Sequence, residues 1–270
     1  MTTAQLPIVG AETGRIDSRR YDVILAADSL DVLAAQRLRY EVFEAEGGAV
    51  TPGPAGLDAD RFDDVCDHLI VRCATSRGRG EAVATYRLLP PHAHDRDPRR
   101  SNLYAHTEFD LSSLESLLDQ TVEAGRSCVA AEHRTVAPIS MLWGGIARYM
   151  EMTGYRYLMG CASISLADGG ASAAAFADLV KSRHLAPAKL RCRPRVEFRT
   201  RGIVRPQRWV VPPLMRGYLR LGAVVCGAPA LDSAFDTADF LLLLDLATAD
   251  QRYLRYFLGA AGAANLPGAA

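Results

Sequence analysis

The segment richest in possible chemistry runs from Glu123 to Val129 and on through Ala130-Ala-Glu-His-Arg-Thr-Val-Ala-Pro138. It reads as a strand that ends in a loop and feeds a helix. The first turn of a helix presents unpaired backbone N–H groups at the positive end of its dipole, which suits a phosphate or pyrophosphate. The chain has no GxGxxG and no GK[ST] element, so a nucleotide fold is not supported, and spacing alone describes an ordinary crossover equally well. Glu123 and Arg126 fall on opposite faces of a regular strand. A bulge at Gly125 would turn both toward one cleft together with Arg87; the alternative is a plain buried salt bridge that orders the strand.

Other charged and polar residues offer less by themselves. Acidic residues cluster at Asp58, Asp60, Asp63 and Asp64, and Asp64 and Asp67 sit just before a strand, where solvated turn residues are as expected as catalytic ones. Arg87 lies in an otherwise largely apolar strand and should be half-buried and paired. His68 and His133 read as structural or surface histidines, Cys128 as packed and Trp143 as a core anchor. Between Lys189 and Arg208 there are eight basic residues and one acidic one, Glu197. Period-two placement would display Arg191, Arg193, Arg195, Arg199 and Arg201 along one face of an extended chain, either to dock an acidic partner or as a solvated strand. Phe198 is the one aromatic among these arginines, which argues against single-stranded nucleic acid.

These residues need a scaffold, and hydrophobic periodicity supplies one. Residues 21–25 read as a strand, and Asp28 or Ser29 caps a helix with Leu30, Leu33, Ala34 and Leu38 on its apolar face. Residues 67–73 and 81–89 form a hairpin around Arg77-Gly-Arg-Gly80. A strand over 121–129 precedes a helix over 139–153 with Ile139, Leu142, Trp143, Ile146 and Met150 on one face. A strand over 157–163, a helix over 171–183 and a buried strand around 240–244 follow. Mixing hairpin and crossover units implies an α/β or α+β sheet with helices on its faces. Residues 1–19 and 259–270 read as flexible tails around one folded unit, 20–258.

Composition narrows the class. Lys plus Arg and Asp plus Glu both number 31 among 270 residues, so no bulk charge draws the chain to nucleic acid. Six scattered cysteines form no CxxC pair and no metal spacing, which suggests a reducing cytoplasm and no metal site. No run approaches the roughly 18 apolar residues of a membrane span.

Several motifs occur in one order: Arg39-Tyr-Glu-Val-Phe43, Cys66-Asp-His-Leu69, Thr85-Tyr-Arg-Leu-Leu89, Glu108-Phe-Asp-Leu111, Glu123-Ala-Gly-Arg-Ser-Cys-Val129, Leu142-Trp-Gly-Gly-Ile146, Pro213-Leu-Met-Arg-Gly-Tyr-Leu-Arg-Leu-Gly222 and Phe235-Asp-Thr-Ala-Asp239. In this the chain resembles ornithine acyl-carrier-protein N-acyltransferases, the first enzymes of ornithine lipid synthesis. Its front half is similar to the acyl-homoserine-lactone synthases. The resemblance implies a GNAT-like fold, a mixed and mostly antiparallel central sheet flanked by helices. It also implies transfer of a 3-hydroxylated fatty acyl group from acyl carrier protein to the α-amine of L-ornithine, giving a lyso-ornithine lipid. The donor is then a phosphopantetheine or CoA thioester, with no permanently bound cofactor.

Such a reaction needs a base for the amine, an Arg for the substrate carboxylate and backbone N–H groups for the oxyanion. The resemblance assigns Glu123, Arg126 and Asp67 to catalysis, Arg87, Asp64, Arg39 and Phe43 to substrate binding, and Val129, Arg134 and Ile139 to the donor loop. Arg191, Arg193, Arg195 and Arg199 would dock the carrier protein. The expected location is the cytoplasm, with a peripheral contact to the inner membrane. The rivals are a lactone synthase or other N-acyl amino acid synthase of the same fold, and a carrier- or lipid-binding module without turnover.

Overall fold

The computed structural model describes residues 21–46, 53–74, 79–91 and 103–260. The tail expected at 1–19 and residues 261–270 of the one expected at 259–270 lie outside them, while Gly259 and Ala260 belong to the last helix. In chain order the elements are β1 (Tyr21–Leu25), α1 (Ser29–Tyr40), β2 (Asp67–Cys73), β3 (Glu81–Leu89), α2 (Ala105–Glu108), β4 (Phe109–Asp110), β5 (Thr121–Val129), α3 (Val136–Thr153), β6 (Tyr157–Ser165), α4 (Ala171–Leu179), β7 (Arg193–Pro194), α5 (Pro213–Leu221), β8 (Val224–Val225), β9 (Ala230–Asp232), β10 (Thr237–Asp245) and α6 (Gln251–Ala260). Strand pairing is mostly antiparallel, and helices flank the sheet, as expected. The described residues group into two compact units, those of 91–123 with Arg156–Asp250, and those of 21–90 with Ala124–Tyr155 and 251–260.

In the second of these, β1, β2 and β3 form an antiparallel meander with Tyr21 opposite Cys73 and Asp67 opposite Leu88. Asp28 caps α1, its carboxylate accepting from the Leu30 and Asp31 N–H groups. The buried face of α1 is Asp31, Ala35, Leu38 and Arg39, and Leu30 is 63% exposed. The helix is therefore turned away from the face its apolar residues suggested. Asp31 is held inside by Arg72, whose Nη2 donates to Oδ1 at 2.7 Å, and by the Ala27 N–H. Helix α3 begins three residues before the expected start and is buried on nearly every side along its middle turns. A Cβ on Gly145 would lie 2.8 Å from both Leu69 methyls and 2.9 Å from Val23 Cγ2, so this glycine lets the helix sit directly on β1 and β2.

In the other unit, β6 and β10 pair along nine residues, Tyr157 opposite Asp245 and Ser165 opposite Thr237. Residues 121–123 of β5 run parallel to β6, and β8 and β9 pair antiparallel with β10. The apolar run at 240–244 is buried, and Phe240 meets Phe176 of α4 edge-on at 4.7 Å. The helix expected over 171–183 ends at Leu179 and continues as a π-turn to His184.

Candidate active site

Arg39, Arg87 and Arg126 converge on three aspartates. Arg39 Nε donates to Asp58 Oδ2 at 3.0 Å and Nη2 to Asp63 Oδ2 at 2.7 Å. Arg87 Nη1 reaches Asp60 at 2.7 Å and Asp63 at 3.2 Å, and its guanidinium lies over the Phe62 ring. Arg126 Nε is 3.5 Å from Asp58 Oδ2 and its Nη2 3.5 Å from Asp60 Oδ2. The three cations balance the three anions in a nearly dry interior. Burial opposes charge on Asp63, but the Arg39 and Arg87 guanidiniums outweigh it and hold its carboxyl below the usual range. His68 is buried beside them, with Nε2 3.1 Å from the Asp63 carbonyl, and burial holds its pKa below the ordinary value. This network straps the loop carrying Asp58, Asp60 and Asp63 to α1, β3 and β5.

The backbone leaves regular strand geometry at Arg126, with φ of 52°; the expected departure was at Gly125. A left-handed non-glycine residue costs about 1–3 kcal/mol and persists where its surroundings over-determine it. Arg126 thus joins Arg87 on Asp60. The Glu123 carboxylate accepts from the Tyr104 N–H at 2.6 Å and the Ala105 N–H at 2.7 Å. Asp64 is exposed, while Asp67 Oδ2 accepts from Tyr149 Oη at 2.6 Å. Phe43 packs on a small core of Leu38, Val42 and Cys128, where the cysteine is buried as expected. His133 meets the Tyr21 hydroxyl through Nδ1 at 3.1 Å.

After the buried Val129, Ala130 N–H donates to the Val83 carbonyl and Arg134 Nε to the Val129 carbonyl. Thr135 precedes α3 in extended geometry without a side-chain cap, and the first turn, which includes Ile139, holds no acidic residue. Of the first helical residues, Val136 and Ala137 carry N–H groups and Pro138 does not.

A further set of groups lies on one face of β5, β6, β9 and β10. The registers put Glu123 opposite Met159, Asp239 opposite Ser163 and Thr237 opposite Asp232, and residues two apart share a face. Glu123, Cys161, Ser163, Asp232 and Asp239 therefore project to the same side. Cys161 and Ser163 are part-exposed, whereas Ala162 and Ile164 on the other side are buried. Asp239 accepts from the Thr237 hydroxyl at 2.8 Å. Burial, with Asp239 and Asp232 close by, pushes the Glu108 carboxyl up to about 7. Burial and the same acids raise the Cys161 thiol well above its usual value, which makes it a poor nucleophile. Three carboxylates on one face, with Glu108 close to Asp239 and Asp232, favour a cationic ligand and give a carboxylate that exchanges protons near neutrality.

Some arginines of the basic stretch hydrogen-bond within the chain. Arg191 Nε donates to the Ala186 carbonyl, Arg195 Nε to that of His106, and Arg205 to Asp178. Arg191, Arg193, Arg195 and Arg199 are all exposed.

Residues 38–144 match the acetyltransferase (GNAT) domain family, a span that includes the buried Arg–Asp network and the start of α3. The chain is 34% identical over 249 residues to an L-ornithine N(alpha)-acyltransferase of Rhodobacter capsulatus, covering 88% of this chain and 94% of that protein. A second, from Rhizobium meliloti, is 33% identical over 258 residues, with 90% and 86% covered. The chain belongs to the L-ornithine N(alpha)-acyltransferase family. It is a GNAT-type acyltransferase. Among solved structures it is similar in fold to a CoA-dependent acyl-homoserine lactone synthase, BjaI, solved with SAM and isopentyl-CoA, at TM-score 0.54 and 16% identity over 93% of this chain and 94% of that one.

For this acyltransferase, sequence reasoning passed over Asp58, Asp60 and Asp63 in favour of Asp64 and Asp67, and it missed Glu108, Asp232 and Asp239 as chemical groups. One signal was available. Asp239 interrupts an otherwise apolar strand that buries all its residues from Thr237 to Leu244.

Proposed function

We propose that the chain transfers a 3-hydroxylated fatty acyl group from acyl carrier protein to the α-amine of L-ornithine, giving a lyso-ornithine lipid. The observation that carries the reading is the acidic face of Glu123, Asp232 and Asp239, with Glu108 close to the two aspartates. Ornithine enters with two ammonium groups, and carboxylates in a partly desolvated site reward each of them. Asp239 and Glu123 supply negative charge for the cations. Glu108, poised near neutrality, accepts a proton from the α-ammonium. The freed amine forms the new N–C bond at the thioester carbonyl; the C–S bond then breaks and the carrier thiol leaves. In this reading Arg39, Arg87 and Arg126 hold the loop of Asp58, Asp60 and Asp63 in place.

The test is thiol release from acyl carrier thioester, followed with a thiol reagent, with mass spectrometry of the product. Ornithine should release thiol and yield N-acylornithine. Thiol release with S-adenosylmethionine alone would make the chain a lactone synthase, and no release with any amine would make it a binding module.

A further inference from the structure

We infer that residues 196–210 form a docking surface for an anionic lipid bilayer. This stretch has two interleaved sets of side chains. One set roots it in its own unit. A Cβ on Gly170 would lie 2.5 Å from Phe198 Cζ and 3.5 Å from Ile203 Cδ1, so both side chains pack against a spot left bare by glycine. Arg205 donates from Nε to Asp178 Oδ2 at 2.8 Å, and from Nη1 to the Thr200 carbonyl at 2.9 Å and to the Ile203 carbonyl. Trp209 meets Phe176 edge-on at 6.5 Å. Backbone bonds from Phe198 N–H to the Pro229 carbonyl and from Leu231 N–H to the Val196 carbonyl fix the near end.

The other set faces water. Val196 is 58%, Val204 83% and Val210 71% exposed. Arg199, Arg201 and Arg208 are exposed among them. A segment rooted at four side chains is not displaying three valines for want of a place to bury them. A segment that exposes both valines and arginines combines the two attractions that hold a peripheral protein on a membrane, apolar insertion at the acyl boundary and charge pairing with anionic headgroups. A carrier protein would use the arginines but has less call for isolated, protruding valines. A lipid surface also suits the proposed product, an amphiphile that must reach a bilayer; in that one respect the inference rests on the proposed function.

The experiment is sedimentation of the full chain with vesicles of phosphatidylcholine alone and of phosphatidylcholine with phosphatidylglycerol. The wild type should bind the anionic vesicles and be released by salt. Arg201→Gln with Arg208→Gln should weaken binding roughly fivefold for each charge removed. Val204→Gln with Val210→Gln should weaken it about tenfold or more at unchanged salt dependence. Transfer from a short acyl-CoA in free solution should be unchanged in the valine variant. No sedimentation of the wild type, or equal binding by both variants, overturns the inference. So does a valine variant that binds vesicles normally but shows a raised KM for the carrier protein, since the surface would then be a protein docking site. Failure of the wild type to acylate ornithine defeats the proposed function and leaves the vesicle readout independent.

Discussion

Replacing Arg39 by Met should destabilise the protein more than replacing Arg87, although both sit in the same network. Arg39 is fully buried, and its partners Asp58 and Asp63 have side chains 0% and 4% exposed. Two unit charges about 3 Å apart at an effective dielectric of ~20 attract by about 5 kcal/mol, much of which only offsets desolvation. Without Arg39, Asp58 keeps Arg126 at 3.5 Å, beyond good hydrogen-bonding distance, and its Oδ1 already has no partner. The expected loss is about 3–5 kcal/mol. Without Arg87, Asp63 keeps Arg39 at 2.7 Å and Asp60 keeps Arg126 at 3.5 Å, so the loss should be about 2–3 kcal/mol. Urea unfolding followed by fluorescence of the buried Trp143 measures both. Adding Asp58→Asn to Arg39→Met should restore about 1–3 kcal/mol, because the stranded charge is gone. A loss under about 1 kcal/mol for Arg39→Met, or strict additivity in the double variant, would refute this account of the network.

Three other expectations follow from particular residues. Gly145→Ala should cost about 1–3 kcal/mol, because the Leu69 and Val23 methyls leave no room, and calorimetry would read it as a lowered Tm. His68 is held neutral by burial, whereas the unfolded chain takes up a proton near 6.5, so its contribution to stability is present above that pH and falls as pH drops below it; His68→Gln should flatten that slope in urea titrations between pH 7 and 5. Glu108→Gln should remove an ascending limb near pH 7 from kcat/KM and lower kcat by roughly 10²–10³. The raised carboxyl also favours the fold below its unfolded pKa, an advantage lost as pH rises through about 7, and the same variant should abolish it.

Much of the scaffold was legible because apolar runs and turn residues mark it locally. The bounds of β5 and the hairpin of β2 and β3 fall where the alternation and the Gly-rich turn put them. The phase of α1 was not legible. Its buried face includes Asp31 and Arg39, whose partners Arg72, Asp58 and Asp63 lie 19 to 41 residues away, and no local pattern reveals that a charge will be neutralised from such a distance. The same reason hid the acidic face: Glu123, Asp232 and Asp239 come to one side only through strand registers. In the arginine-rich stretch the backbone differs from the expectation: period two describes an extended chain, and the regular strand there is only Arg193–Pro194, followed by a turn at Arg201 and Gly202.

The central claim is that the acidic face selects a substrate with a second ammonium group. The most direct measurement compares kcat/KM for L-ornithine with that for L-norvaline, the same skeleton without the terminal amine, in wild type and Asp239→Asn. A charge-assisted hydrogen bond is worth about 1.5–3 kcal/mol, so ornithine should lead by roughly 10- to 150-fold. That lead should collapse in the variant while norvaline is used as before. Equal use of the two amino acids by the wild type, or a lead that survives Asp239→Asn, would contradict the account.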